Sequence, residues 1–209
     1  MLEELFNLVK GSAADTVVNN PDVPEEHNNE VIAEATNTVA SGLRNMVAGG
    51  GLQNVLSLFG NKEEQNNKNL LSNPVVNMMI GHFAGKLMTR FNLGSDQANN
   101  VAGSLIPATI SKLISNTNDP NNTSFSIDNL LNSITGGKSS EIVQQQESAG
   151  NSSFNFENLV SQFTGGRQGN GTGAGGLMDI VSQLAGGAQS QQQQNGGGGL
   201  MELIRGFIK

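Results

Sequence analysis

Between Asn73 and Asn116 two runs of apolar residues at helical spacing are separated by only a few residues, and this pairing constrains the fold most. Asn73-Pro74 supplies a capping amide and a proline at the first helical position. Val76, Met79, Ile80, Phe83, Leu87 and Phe91 then recur on one helical face. Leu93-Gly94 is expected to close this helix, with glycine in the left-handed C-cap position. Ser95-Asp96 opens the next, whose apolar face is Val101, Ala102, Leu105, Ile106, Thr109, Ile110, Leu113 and Ile114. Two helices joined so closely are expected to lie antiparallel.

The flanking sequence extends the helical reading. Leu2, Leu5, Phe6, Val9, Ala13 and Val17 line a first amphipathic segment over residues 2–18, broken at Asn19-Asn20-Pro21. A second helix is expected after Pro24, with Ile32, Ala35, Val39, Leu43, Met46 and Val47 on its buried face and Gly49-Gly50-Gly51 as its stop. A short apolar run, Leu52 to Phe59, precedes an expected polar loop from Gly60 to Leu70. A short helix is expected over Ile127 to Ile134, stopped by Gly136-Gly137. The fold class is therefore all-α, a small helical bundle built on an antiparallel helix hairpin, with residues 1–136 as its domain.

From Gly137 on the composition shifts: this stretch holds 16 of the 27 glycines and the run Gln191 to Gln194. Residues 137–209 are expected to form a flexible Gly/Gln-rich tail, because so little apolar surface does not offset chain entropy. A short unit nevertheless recurs there. TSFSIDNLLNSITGG, ending at Gly137, aligns with SSFNFENLVSQFTGG, ending at Gly166. GGLMDIVSQLAGG ends at Gly187, and GGLMELIRGFIK runs to Lys209. Each reads as one short amphipathic helix bounded by glycines, too short to be stable alone in water.

Charge and composition exclude several functions. With no cysteine, the chain has neither a disulfide framework nor thiolate chemistry. The formal charge is −7, and the acids crowd the start, where Glu3, Glu4, Asp15, Asp22, Glu25, Glu26, Glu30 and Glu34 face only Lys10. An acidic surface without basic patches or stacking aromatics argues against nucleic-acid binding. The N-terminal residues lack the pattern of a secretory signal, and no apolar run reaches transmembrane length. A cytoplasmic location is the expectation.

Candidate sites carry bland readings. Gly171-Thr172-Gly173-Ala174-Gly175-Gly176 matches a dinucleotide fingerprint but lacks the preceding strand and the later acid, so it reads as a glycine linker. His82 and His27 are each without a second histidine at metal-ligand spacing. Ser104 has no nucleophile-elbow context. The loop from Asn116 to Asp128 is rich in oxygen ligands but lacks the mid-loop glycine and terminal glutamate of a calcium hand. Pro107 falls inside an apolar period and is expected to kink its helix or begin a second half. No catalytic, cofactor-binding or metal-ligating residue is assigned.

Two sets of residues carry interaction instead. Gly81 and Gly85, flanking Phe83, are spaced to let another helix approach closely. Leu200, Leu203, Ile204, Phe207 and Ile208 would gather on one face of a terminal helix, beside Arg205 and Lys209. That face suits docking on a helical surface of this chain or of a copy. A reversible membrane-surface contact is the less favoured alternative.

The central run FNLGSDQANNVAGSLIPATISKLISNTNDPNN, with its glycine-rich flanks and GGLM segments, resembles bacterial all-helical proteins of unknown function related to the YidB-like group. The opening LVKGSAADTVVNNPDVPEEHNNEVI is similar to versions common in Bacteroidota. The resemblance covers about residues 1–137, and in the tail it is one of style. It implies an α-helical fold, a bacterial origin and no catalytic residue. The expected function is a non-catalytic helical interaction or self-association protein, its partner a second copy or another protein; an enzyme whose site is assembled from dispersed polar residues is the least favoured alternative.

Overall fold

The computed structural model describes residues 2–60, 67–119, 121–122, 125–148, 174–194 and 206. These residues are helical or lie in short connections, with no strand among them, so the chain is all-α. In order, the helices are α1 (Leu2–Ser12), α2 (Asn28–Ala48), α3 (Leu52–Gly60), α4 (Asn67–Ser72), α5 (Pro74–Phe91), α6 (Ser95–Thr117), α7 (Ile127–Ile134), α8 (Lys138–Ser148) and α9 (Ala174–Gln194). A single π-helical turn, Ala14–Val18, follows α1, and a 3₁₀ turn, Glu25–His27, leads into α2.

The chain divides into two compact units. The first comprises Met1–Gly42, Glu63–Ser115 and Gly197–Lys209; the second comprises Leu43–Lys62 and Asn116–Gly196. Gly137, where the composition shifts, thus lies inside the second unit.

In the first unit α2 is buried on every side from Val31 to Ala40. The apolar pattern marks only one face of it; Glu34, Thr36, Asn37 and Thr38 read as the solvent face and are buried too. One local hydrogen bond and one long-range ion pair account for part of this. The Thr36 hydroxyl donates to the Ile32 carbonyl over 2.8 Å, and Arg90 of α5 forms an ion pair with Glu34. A buried carboxylate is tolerable only when so paired and hydrogen-bonded.

Local signals explain α5 and α6. The Asn73 side chain accepts the Val75 N–H at 3.0 Å and Pro74 takes the first helical position, as expected. The left-handed residue at the end of α5 is Asn92 (φ 55°), not Gly94. The Leu93 N–H donates back to the Leu87 carbonyl over 3.3 Å, which closes the last turn. Asparagine tolerates that conformation because its short polar side chain bonds locally. Gly94 begins α6 instead: its N–H donates to Gln97 Oε1 at 3.0 Å and its carbonyl accepts the Ala98 N–H at 2.8 Å. This is the reciprocal half of a capping box. Pro107 lies within α6, which continues to Thr117. The carbonyl that loses its partner to Pro107 belongs to Gly103, and buried Leu105, Ile106 and Ile110 hold both halves in one helix.

Two stretches read as irregular are helical: α4 occupies part of the expected polar loop, and α8 lies beyond Gly137. The α7 segment matches its expected bounds, with the Ser126 hydroxyl accepting the Asn129 N–H at 3.2 Å. Gly136 (φ 64°) and Gly137 (φ 94°) turn the chain from α7 into α8 through a conformation that L side chains seldom adopt.

Candidate functional site

The tail segment expected to be a short glycine-bounded bead is the 21-residue helix α9. It begins within the dinucleotide-like motif, so Ala174, Gly175 and Gly176 are its first residues rather than a linker; residues 171–173 lie outside the described residues. It also runs through Gly186 and Gly187, which were expected to end it, and takes in the glutamine run. Tertiary contact outweighs the roughly 1 kcal/mol that each internal glycine costs relative to alanine. Ile180, Leu184 and Ala188 are buried, and α9 packs against α3 and α8.

The seat of α9 is specific. A Cβ on Gly187 would come within 2.6 Å of the Thr135 carbonyl oxygen and 2.5 Å of Lys138 Cγ. The adjacent Gly186 has nothing within 4 Å of such an atom. One turn further on, Gln191 lies against Gly136. Gln189 Nε2 donates to the Ala48 carbonyl at the end of α2 over 3.0 Å. The turn itself is built by side-chain bonding. The Thr135 hydroxyl donates to the Leu131 carbonyl at 2.7 Å and accepts the Ser139 N–H at 3.3 Å. The Ser139 and Ser140 hydroxyls both donate to Asn132 Oδ1, at 3.2 and 2.8 Å. Sequence reasoning missed this seat because Gly187 looks like a spacer. The signal available was the unit TGG closing the apolar helix α7, followed by Lys138.

Phe83 is fully buried in the first unit, as its position on the apolar face of α5 requires. Gly81 is exposed and Gly85 partly so, and a Cβ at either would meet nothing within 4 Å among the described residues. The close approach on α5 occurs on its other side. A Cβ on Gly42 of α2 would lie 2.7 Å from the Met79 methyl. Met78, on the same outward side as Gly81, is 67% exposed.

The remaining candidates are dispersed. His82 is exposed, and His27 stands edge-on to Phe91 with ring centres 5.6 Å apart. Ser104 is exposed. In the oxygen-rich loop, Asp119 Oδ1 accepts the Asn121 backbone and side-chain N–H groups, and Asn118 Nδ2 donates to the Phe59 carbonyl over 2.9 Å. Among the described residues no group of three or more His, Asp or Glu side chains could hold a metal ion. Arg44, in the second unit, is buried, and loss of water from its charged form lowers its pKa. Its Nε has no hydrogen-bond partner among the described residues. Leu200, Leu203, Ile204, Phe207 and Ile208 lie outside the described residues. No described helix is long and apolar enough to cross a membrane.

No protein-family model matches the chain, and no curated protein or solved structure does.

Proposed function

We propose that the chain is a non-catalytic helical interaction protein whose tail segments dock on helical surfaces, in the same copy or in a second one. The observation that carries this reading is the seating of α9 on α3, α8 and the Thr135–Lys138 turn, by apolar burial and one crowded glycine. The terminal segment repeats the α9 pattern: GGLMELIRGFIK sets Leu203 and Phe207 where GGLMDIVSQLAGG has the buried Ile180 and Leu184. Burying one such side chain contributes roughly 1.5–3 kcal/mol, so several together offset the ordering of a short helix.

An antiparallel α5–α6 hairpin as the framework, a bacterial cytoplasmic setting and kinship with the YidB-like group belong to the same proposal. The three-residue connection Asn92–Gly94 with left-handed Asn92 supports the hairpin.

Replacing Leu203 and Phe207 together by Asp is expected to lower the sedimenting mass or the unfolding temperature with no lipid present. Wild-type values for both, accompanied by loss of liposome binding, would move the function of this segment to a membrane surface.

A further inference from the structure

We propose that the Thr135–Lys138 turn is a helix-binding seat that accepts α9 from a second copy of the chain, so that copies join by exchanging this helix. The inference rests on the reading above that tail segments dock on helical surfaces, and it names the seat, the helix and the residue that sets their register. Recognition centres on Gly187. A side chain there would press on the Thr135 carbonyl oxygen, part of the backbone, at 2.6 Å, whereas one at Gly186 would meet open space. The seat thus admits this helix in one register, with glycine at the crossing, Gln189 on the Ala48 carbonyl and Gln191 against Gly136. Ile180, Leu184 and Ala188 supply the apolar contact.

Two features favour exchange. Gly175, Gly176, Gly186 and Gly187 all lie within α9 and weaken it as an isolated helix, so it needs a seat to fold on. Between Ser148, the end of α8, and Ala174 lie the 25 residues 149–173, a connection whose extended limit is roughly 80 Å. That length permits the seat of a neighbouring copy as well as the chain's own. Because seat and helix belong to one chain, the local concentration of α9 at its own seat is high, on the order of millimolar, so a chain's own helix masks its seat. Exchange becomes visible when each copy lacks one half of the pair.

Two full-length variants supply those halves. Gly187→Val spoils the helix and leaves the seat open. Gly136→Val spoils the seat, since its φ of 64° disfavours a β-branched residue and its Cβ would meet Gln191. Each alone is expected to sediment with the wild-type mass, and an equimolar mixture to add a heterodimer of twice that mass. A mixture that keeps the mass of its separate components overturns the proposal. A labelled peptide of residues 174–194 provides the second measurement. It is expected to bind full-length Gly187→Val at least ten-fold more tightly than wild type, whose seat is filled, and the same peptide carrying Gly187→Val should not bind. Equal binding to both chains, or binding by the altered peptide, also overturns it. Full-length Leu184→Asp frees the seat without altering the crossing and replaces Gly187→Val if that variant misfolds. If the Leu203 and Phe207 substitutions reduce the mass while mixture and peptide both fail, terminal docking stands and the seat falls. The converse pattern keeps the seat and removes the terminal segment.

Discussion

The glycine pair Gly81 and Gly85 on α5 and the single Gly187 on α9 behave oppositely. Gly81 and Gly85 of α5 have the spacing associated with close helix packing, yet both face open space among the described residues. Gly186 and Gly187 of α9 sit in a glycine-rich tail and look like a stop, yet Gly187 is pressed against the Thr135–Lys138 turn. Glycine spacing alone therefore does not identify a contact. The deciding quantity is what stands opposite the missing Cβ. Opposite Gly187 it is a backbone carbonyl held by the α7–α8 turn, which cannot rotate away. On α5 the crowding comes from the Met79 side against Gly42, away from the GxxxG face.

Each half of this comparison can be tested by substitution. The largest effect is expected at Phe83, on the packed side of α5. Phe83→Ala should cost roughly 3–5 kcal/mol in denaturant unfolding, through lost burial and a cavity. A loss under 1 kcal/mol would mean that the packed side of α5 has been misassigned. A smaller, local effect is expected at the seat. Gly187→Ala should weaken the protection of α9 amides from hydrogen exchange by about 1–3 kcal/mol, the usual cost of forcing a group into a packed contact. The amides of α6 should keep their protection. Protection of α9 unchanged by the substitution would show that the turn yields freely. The smallest effects carry the opposite sign. Gly81→Ala, Gly85→Ala and Gly186→Ala should each stabilise by about 0.5–1 kcal/mol, because alanine loses less chain entropy in a helix and nothing opposes its methyl. If Gly85→Ala destabilises instead, and does so more as protein concentration rises, another copy crosses α5 there and the contrast disappears.

The Glu34–Arg90 pair shows a further difference between sequence pattern and fold. Glu34 is almost fully buried, while the Arg90 side chain is 37% exposed, so water screens one end of the pair. Such a contact adds little net stability, because burial of the carboxylate offsets the attraction. Removing Arg90 alone would be costly, since Glu34 would be left buried without its cation.

Local chemistry was legible from residue order. Asn73-Pro74, the apolar period of α5 and α6, the all-α class and the bounds of α7 follow from capping, proline geometry and 3.6-residue spacing, which act within a few residues. The positive φ at Gly136 and Gly137 belongs to the same class of local signal. Only the tertiary structure decided the rest. It buried Val31 to Ala40 on all sides, with Glu34 paired to an arginine far away in sequence, and no pattern along α2 announces Arg90. It carried α9 through Gly186 and Gly187 because α3, α8 and a turn some fifty residues earlier in the chain provide the apolar surface and the close fit. Helix propensity is worth about 1 kcal/mol per glycine, and packing against residues far away in sequence exceeds it where a surface of the right shape is present.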